Sequence, residues 1–173
     1  MNSGSVIWII GRPSAGKSTF AREAKRLLSA HCGPTLILDG DAVRGRLKPA
    51  PGYDDRARSD FYSTLSGLAA LIAEQGFVVL VPATAHKREF RDEARELAPR
   101  FLEVFVDAPL EVCEARDSKG LYARSKRGEV DNLPGVGKHF DRPQNPDVVA
   151  SGGKDGAAQQ ELVCRVLRLL GED

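Results

Sequence analysis

Residues 11–19 read GRPSAGKST and fit the pattern G-x-x-x-x-G-K-[ST] of a phosphate-binding loop. The apolar run from Val6 to Ile10 predicts a buried strand before the loop, and an amphipathic helix is predicted to begin near Lys17. Strand, glycine loop and helix in this order bring backbone N–H groups and a helix N-terminus to phosphate oxygens. We therefore expect Lys17 to reach the β- and γ-phosphates of a nucleotide and Ser18 to hold Mg²⁺.

The composition indicates a single domain, because 173 residues can bury a sizeable core. The 25 Lys and Arg residues nearly balance 24 Asp and Glu residues, so no global basic surface favours a nucleic-acid polymer as partner. The early apolar run is too short to span a membrane or to form a signal-peptide core. Three widely spaced cysteines, Cys32, Cys113 and Cys164, form no metal-type pair, and we expect buried thiols in a reducing cytoplasm.

Apolar strands alternate with helical patterns along the chain, which predicts an α/β fold with a parallel sheet and helices on both faces. Further strands are predicted at 35–39, 77–81, 101–106 and 147–150, and helices at 17–30, 42–47, 54–75, 87–97, 109–116 and 157–170. Pro109 is expected at the first position of its helix. The segment 118–142 is rich in Lys, Arg, Gly and Pro, so we interpret it as a mobile lid.

Two carboxylates, Asp39 and Asp41, follow the second predicted strand. The carboxyl ends of parallel strands are where open α/β sheets bind ligands. Phosphoryl transfer requires one carboxylate that organises Mg²⁺ and another that orients the attacking hydroxyl, and Asp41 fits the second role. The alternative is that Asp41 caps the next helix, which is compatible with catalysis.

Several cations and one aromatic residue are candidates for the acceptor side of this site. Arg44, Arg58 and Arg88 each follow a predicted strand, and together they suit an anionic acceptor, although each alone could be a solvated surface residue. Tyr53 could stack on a base or anchor its loop. Basic lid residues could neutralise the transferring phosphoryl group, or be solvated; they are Lys119, Arg124, Lys126 and Arg127.

Two other residue types are assigned no part in catalysis. Trp8 lies in the first predicted strand and is expected in the core. His31, His86 and His139 share no ligand spacing, so they indicate no metal site.

Taken together, these segments resemble the adenylylsulfate kinases, which transfer the γ-phosphate of ATP to the 3′-hydroxyl of adenosine 5′-phosphosulfate. The matching pieces are residues 11–19, LDGD at 38–41 with Val43 and Arg44, FLEVFVDAPLEVCE at 101–114, RDSKGLY at 116–122, and RGE at 127–129. The resemblance implies a P-loop kinase fold with a five-stranded parallel sheet, ATP and Mg²⁺ as cofactors, and a homodimer. It implies ATP and phosphate contacts by Gly11, Ser14, Ala15, Gly16, Lys17, Ser18, Thr19 and Arg116, and catalytic roles for Asp41, Lys17 and Asp39.

The departures from the family pattern cluster on the acceptor side. Phe61 replaces an expected Asn, Tyr53 an expected Phe, and Leu133 the Phe of a lid Phe-Thr-Gly motif. Residues 84–88, TAHKR, keep only the Arg of Ile-Ser-Pro-Tyr-Arg; Ser63 and Thr64 replace two Arg, and Ala42 an Asn. The residues expected to bind ATP are retained, while those expected to contact the base and the sulfate of the acceptor are substituted.

We therefore expect an ATP-dependent kinase that phosphorylates the ribose 3′-hydroxyl of a 5′-modified nucleotide, adenosine 5′-phosphosulfate or a close analogue. The substitutions predict a preferred acceptor other than adenosine 5′-phosphosulfate itself. Alternatives are a kinase of cytidine diphosphoramidate in capsule modification, a small-molecule or antibiotic kinase, and a non-catalytic nucleotide-binding module, which the retained Lys17, Ser18 and Asp41 disfavour. The predicted acceptor-binding residues are Asp41, Arg44, Tyr53, Arg58, Phe61, Arg88, Lys119 and Leu133.

Overall fold

The computed structural model describes residues 4–171. Within this range there are five strands: β1 (Ser5–Ile10), β2 (Thr35–Ile37), β3 (Val78–Pro82), β4 (Phe101–Val106) and β5 (Val148–Ala150). The seven helices of the same range are α1 (Lys17–Leu28), α2 (Gly40–Arg44), α3 (Asp55–Glu74), α4 (Arg88–Leu97), α5 (Leu110–Arg116), α6 (Leu121–Lys126) and α7 (Gly156–Leu170).

The strands form one sheet in the order β2-β3-β1-β4-β5, and all four pairings are parallel. This confirms the predicted five-stranded parallel sheet. Strand β1 lies at the centre and is buried along its whole length, as a continuous apolar run predicts.

Alternate residues of β1 supply two separate cores, because successive side chains of a strand point to opposite faces. Ile7 and Ile9 pack on one face with apolar residues of α1 and α7. Val6, Trp8 and Ile10 pack on the other face with apolar residues of α3 and α4. Trp8 is fully buried, so the expectation that it is a core residue is confirmed.

The parallel arrangement brings the residues that follow β1, β2, β3 and β5 to the same edge of the sheet. The phosphate-binding loop follows β1, and Asp39 follows β2 by two residues. The loop that begins at Ser151 follows β5. This edge is where the predicted catalytic residues meet.

Three local expectations were wrong. Helix α2 begins at Gly40, two residues before the predicted start, because the Asp39 side chain accepts hydrogen bonds from Asp41 N and Ala42 N and caps it there. Pro109 precedes α5 as its N-cap instead of occupying the first helical position. Cys164 on α7 is exposed, whereas Cys32 and Cys113 are buried as predicted.

The segment predicted as a lid, 118–142, contains the helix α6. The Asp117 carboxylate accepts hydrogen bonds from Tyr122 N at 3.0 Å and Ala123 N at 2.9 Å and so holds the first turn of α6. The segment is therefore partly regular; that it closes over bound substrates stays a prediction. No helix among residues 4–171 is long and apolar enough to cross a membrane.

A histidine is buried between the sheet and the segment that follows α6. His86 is 1 % exposed, and its ring meets Phe90 edge-on at 5.6 Å between centroids. Neither ring nitrogen has a hydrogen-bond partner among the described residues. Burial lowers the pKa of His86 to about 4, and the positive charges of Arg58 and Lys138 act in the same direction. The folded protein therefore holds this imidazole neutral.

We predict that His86 makes the protein sensitive to mild acid. Its usual pKa is 6.5 and its folded pKa is about 4, so between these values the unfolded chain binds more protons and the free energy of unfolding falls as pH falls. Between pH 7 and 5 the loss attributable to this group is about 2 kcal/mol. Urea unfolding of the wild type and of His86→Leu at both pH values measures it. The variant should lose less stability on acidification, whereas His139→Gln, at a side chain that is 86 % exposed, should behave as wild type. An equal pH dependence in the wild type and His86→Leu would contradict the prediction.

Candidate active site

A cleft of about 1300 Å³ lies at the carboxyl edge of the sheet. Its walls come from the phosphate-binding loop, α2, the first half of α3, the segment 116–134 and the loop between β5 and α7. Most of the predicted site residues line it: Ser14, Gly16, Lys17, Ser18, Thr19, Asp41, Arg44, Tyr53, Arg58, Phe61, Arg116, Lys119 and Leu133. Gly11, Ala15 and Asp39 support it from behind through the contacts described below.

The phosphate-binding loop has the backbone geometry that its sequence predicts. Gly16 has φ of +107° and caps α1, so a residue with a side chain would be strained there. A Cβ at Gly16 would also lie 2.7 Å from Gly153 N, which is closer than a carbon atom can approach. The loop therefore packs directly on the backbone of the β5–α7 turn.

Lys17 is held inside the loop. Its Nζ donates hydrogen bonds to Gly11 O at 3.0 Å and Arg12 O at 2.8 Å. Burial lowers the pKa of Lys17 to about 8, while the negative charge of Asp41 acts in the opposite direction. A cation held by carbonyl oxygens in a partly buried loop is a strong partner for phosphate oxygens, which carry negative charge.

Two residues outside the loop brace it. Arg116 Nη1 donates a hydrogen bond to Ala15 O at 3.1 Å, and Tyr122 Oη donates one to Pro13 O at 2.9 Å. Arg116 was expected at the ATP site, whereas no role was predicted for Tyr122. Since Tyr122 lies on α6, the phosphate-binding loop and the start of the lid segment are directly connected.

Asp39 connects the loop to α2. One carboxylate oxygen, Oδ2, accepts a hydrogen bond from Ser18 Oγ at 2.6 Å, and Oδ1 accepts from Asp41 N at 2.9 Å. Helix α2 is therefore capped by Asp39, and the alternative that Asp41 is the cap is wrong. This leaves the Asp41 carboxylate free of backbone contacts at the surface of the cleft.

Asp41 forms an ion pair with Lys119 of the lid segment. The Asp41 side chain is largely exposed, so the pair is open to water and to ligands. In this structure Lys119 neutralises the Asp41 carboxylate, which is predicted from the sequence to be catalytic.

The predicted acceptor-side arginines have separate roles. Arg44 and Arg58 line the cleft and are both buried. Arg44 Nη1 donates to Pro51 O at 3.2 Å and Gly52 O at 2.8 Å. Arg88 does not line the cleft, because it pairs with Asp92 along α4 at 3.1 Å. The structure therefore brings two of the three arginines together.

Arg58 connects the acceptor loop to the lid segment. Its Nε donates to Tyr53 O at 2.7 Å and its Nη2 to Asn132 O at 3.1 Å. Asn132 Nδ2 donates to the same Tyr53 carbonyl at 3.3 Å. The Tyr53 ring lies 4.6 Å from Arg44 Cζ and 5.5 Å from Arg58 Cζ, so Tyr53 anchors its loop.

Other lid cations form ion pairs within or near the lid. Arg124 lines the cleft and pairs with Glu129 at 3.4 Å. Lys126 pairs with Glu114 at 3.1 Å, and Arg127 pairs with Glu129 at 2.6 Å; neither cation lines the cleft.

The turn at Gly152 and Gly153, between β5 and α7, is predicted by the sequence, but its place in the site is not. Ser151 to Asp155 line the cleft, and a Cβ on Gly153 would lie 2.7 Å from Gly16 O. The signal was present, because a Gly-Gly pair directly follows a strand whose carboxyl end reaches the same edge. Asn132, within the predicted lid, was also missed, and no pattern distinguishes it from other loop residues.

The chain matches the family model of adenylylsulphate kinases over residues 3–151. It belongs to the adenylylsulfate kinase family. An adenylyl-sulfate kinase of Paraburkholderia xenovorans is 41% identical over 147 residues, which cover 84% of this chain and 82% of the relative. An adenylyl-sulfate kinase of Halothermothrix orenii is 37% identical over 98% of this chain and 90% of its own.

A solved structure with the same fold is the Mycobacterium tuberculosis APS kinase CysC in complex with AMPPNP and APS. It is 34% identical, covers 99% of both chains and superposes with a TM-score of 0.85. The single-domain adenylylsulfate kinase fold of this chain is thus shown by sequence and by structure, and the resemblance drawn from the sequence is confirmed.

We predict that Lys17→Ala lowers phosphoryl transfer by about 10²-fold or more, because it removes the cation nearest the phosphates. Turnover is measured as ADP formed in the presence of an acceptor. Circular dichroism should show a folded variant. Arg26→Ala, which removes an exposed charge on the same helix outside the cleft, is the matched control and should retain activity. Near-normal turnover of Lys17→Ala would show that the loop is not the phosphate site.

We predict that Asp41→Asn lowers turnover by about 10²-fold while ATP still binds, because an amide cannot accept the proton of an attacking hydroxyl. ATP affinity is measured by calorimetry and turnover as above. Asp60→Asn, at an exposed carboxylate of α3 outside the cleft, is the control. Loss of ATP affinity with turnover intact would instead assign Asp41 to the ATP site.

Proposed function

We propose that this protein transfers the γ-phosphate of ATP to the ribose 3′-hydroxyl of adenosine 5′-phosphosulfate. The observation that carries the proposal is that one cleft is lined by a phosphate-binding loop with Lys17, by the exposed carboxylate of Asp41 and by the buried guanidinium of Arg44. Lys17 supplies a cation for the phosphates, Asp41 a base and Arg44 a receptor for an anionic group. Together they suit a nucleotide donor and an acceptor that carries both a hydroxyl and an anionic group.

On the donor side, Lys17 gives up its two carbonyl partners for the β- and γ-phosphate oxygens of ATP. Charged oxygens are stronger acceptors than carbonyl oxygens, so the exchange favours bound nucleotide. Ala15 and Pro13, whose carbonyls are held by Arg116 and Tyr122, keep the loop in place during the exchange.

The residues present fit a Mg²⁺ ion. The Ser18 hydroxyl and the Asp39 carboxylate lie 2.6 Å apart, which supplies hard oxygen donors from two elements. Among the described residues no group of three or more His, Cys, Asp or Glu side chains converges, which agrees with an ion that takes its other ligands from phosphate and water. When bound, Mg²⁺ neutralises negative charge on the transferring phosphate.

On the acceptor side, Asp41 accepts the proton of the 3′-hydroxyl. Its ion pair with Lys119 must open first, and Lys119 is then free to interact with the transferring phosphoryl group. Because the pair is exposed, its opening costs about 1 kcal/mol or less.

The anionic 5′ group of the acceptor binds Arg44. The Mycobacterium tuberculosis enzyme was solved with AMPPNP and APS together, and this chain superposes on 99% of it. That likeness supports adenosine 5′-phosphosulfate as the acceptor here and speaks against the different preferred acceptor that the acceptor-side substitutions predict from the sequence.

The side chains on the acceptor side of the cleft favour a second candidate acceptor, another 5′-modified nucleotide such as cytidine diphosphoramidate. The Tyr53 ring already packs on two guanidinium groups, and Leu133, in place of an expected Phe, offers no ring. A base bound here therefore has less stacking surface, which suits a smaller pyrimidine.

We also propose that the protein acts as a homodimer. The support is the family resemblance together with two exposed leucines, Leu68 and Leu71, one turn apart on α3. Apolar side chains exposed side by side on a helix are typical of a face that another surface covers.

A panel of acceptors tests the proposed function. We predict that kcat/KM is highest for adenosine 5′-phosphosulfate, measured with ATP at saturation against cytidine diphosphoramidate, adenosine 5′-monophosphate and a hexose acid. The product of the preferred reaction should carry phosphate at the 3′-oxygen, as phosphorus NMR can establish. A higher kcat/KM for cytidine diphosphoramidate would replace the first candidate by the second, and phosphorylation of the hexose acid alone would overturn both.

A further inference from the structure

The guanidinium of Arg44 lies between two aromatic rings. Its Cζ is 3.9 Å from the ring centroid of Phe61 and 4.6 Å from that of Tyr53. Phe61 is 3 % exposed and Arg44 8 %, whereas Tyr53 is 55 % exposed. Phe61 therefore forms the fixed side of the stack and Tyr53 the outer side.

The hydrogen bonds of Arg44 leave one edge of the guanidinium open. Only Nη1 donates, to Pro51 O and Gly52 O, and within residues 4–171 neither Nε nor Nη2 has an acceptor. The Nε–H and Nη2–H bonds point the same way in the plane of the group, and such a pair binds two oxygens of a phosphate, sulfate or carboxylate at once. The two rings cover the faces of the Arg44 guanidinium, and the loop carbonyls accept hydrogen bonds from Nη1. The edge formed by Nε and Nη2 remains available for a bidentate contact with a ligand.

Arg58 shows the opposite arrangement in the same cleft. Its Nε and Nη2 both donate to backbone carbonyls, those of Tyr53 and Asn132. The bidentate edge of Arg58 is thus already occupied. Of these two arginines, Arg44 alone has that edge available to a ligand.

We propose that Phe61 is a positioning residue for the acceptor's anionic group, acting through the Arg44 guanidinium and not through contact with the base. The inference rests on the proposed function and extends it to a residue where the resembled pattern has Asn. An amide covers less of a guanidinium face than a phenyl ring does and offers no aromatic π face, whereas the Phe61 ring fixes the guanidinium plane and excludes water from it. The stack therefore orders the guanidinium before the acceptor arrives, which lowers the entropy cost of binding.

This role predicts which kinetic constant changes. The 5′ group of the acceptor is not the group that receives phosphate. Positioning of its receptor therefore affects acceptor binding equally in the ground and transition states, which changes KM and leaves kcat. Phe61→Leu, which keeps an apolar side chain but removes the ring, should raise the KM for adenosine 5′-phosphosulfate about tenfold. The kcat and the KM for ATP should stay within about twofold. Phe61→Tyr, which keeps the ring, should restore a KM close to wild type.

Phe90→Leu is the matched control. Phe90 is also a buried phenylalanine of the same core, and it stacks on Tyr62 at 4.5 Å without touching Arg44. A loss of core packing common to both variants would lower their melting temperatures alike, but only Phe61→Leu should raise the KM for the acceptor.

A double-mutant cycle with Arg44→Gln separates action through Arg44 from direct contact. Arg44→Gln alone should raise the acceptor KM strongly. If Phe61 acts through Arg44, Phe61→Leu should raise KM no further in the Arg44→Gln background. If Phe61→Leu does not fold, Phe61→Met, which also removes the ring but keeps more of the side-chain volume, enters the same cycle.

The outcomes are distinct. Absence of wild-type activity towards adenosine 5′-phosphosulfate would overturn the proposed function and this inference with it. A normal wild-type KM that Phe61→Leu leaves unchanged would overturn only the role of Phe61. A tenfold effect that persists in the Arg44→Gln background would show direct contact of Phe61 with the acceptor and would likewise overturn it.

Discussion

The carboxylate of Asp39 joins the two halves of the site. One oxygen accepts the Ser18 hydroxyl from the phosphate-binding loop, and the other caps α2, the helix that carries Asp41 and Arg44. A side-chain cap contributes about 1 kcal/mol to a helix, and α2 has only five residues, so little else defines where it begins. The position of the proposed base, Asp41, and of the proposed anion receptor, Arg44, relative to the phosphate-binding loop therefore depends on this one carboxylate.

The sequence was sufficient wherever local chemistry decides the outcome. The apolar run before Gly11 and the glycine loop itself predicted strand, loop and helix, and the alternation of strands and helices predicted the parallel sheet. Side-chain contacts between segments that are distant in the sequence could not be predicted. That Asp39 accepts the Ser18 hydroxyl depends on a contact across 21 residues, and that Tyr122 holds Pro13 depends on a contact across 109 residues.

The three acceptor-side arginines show most clearly that long-range side-chain contacts cannot be predicted from the sequence. Arg44, Arg58 and Arg88 looked equivalent, since each follows a strand. In the fold, one stacks between rings, one joins two loops through their carbonyls, and one pairs along its own helix. Residue type establishes that a guanidinium can bind an anion; which of its edges is open depends on backbone carbonyls whose positions no sequence pattern records. The turn at Gly152 and Gly153 differs from the arginines, because a Gly-Gly pair after a strand is recognisable in the sequence. Its place at the cleft follows from the sheet topology.

Both groups that would drive the reaction have partners within the protein itself. Lys17 is held by carbonyl oxygens, and Asp41 is neutralised by Lys119. A kinase whose base is free whenever ATP is bound would activate water in place of its acceptor and waste nucleotide. In the proposed mechanism the Asp41 carboxylate serves as the base only after Lys119 has moved away from it, and Lys119 lies three residues before Tyr122, which donates a hydrogen bond to the phosphate-binding loop. In the proposed mechanism these contacts, seen without ligand, would limit futile hydrolysis of ATP through the same cations that are proposed to serve the transfer.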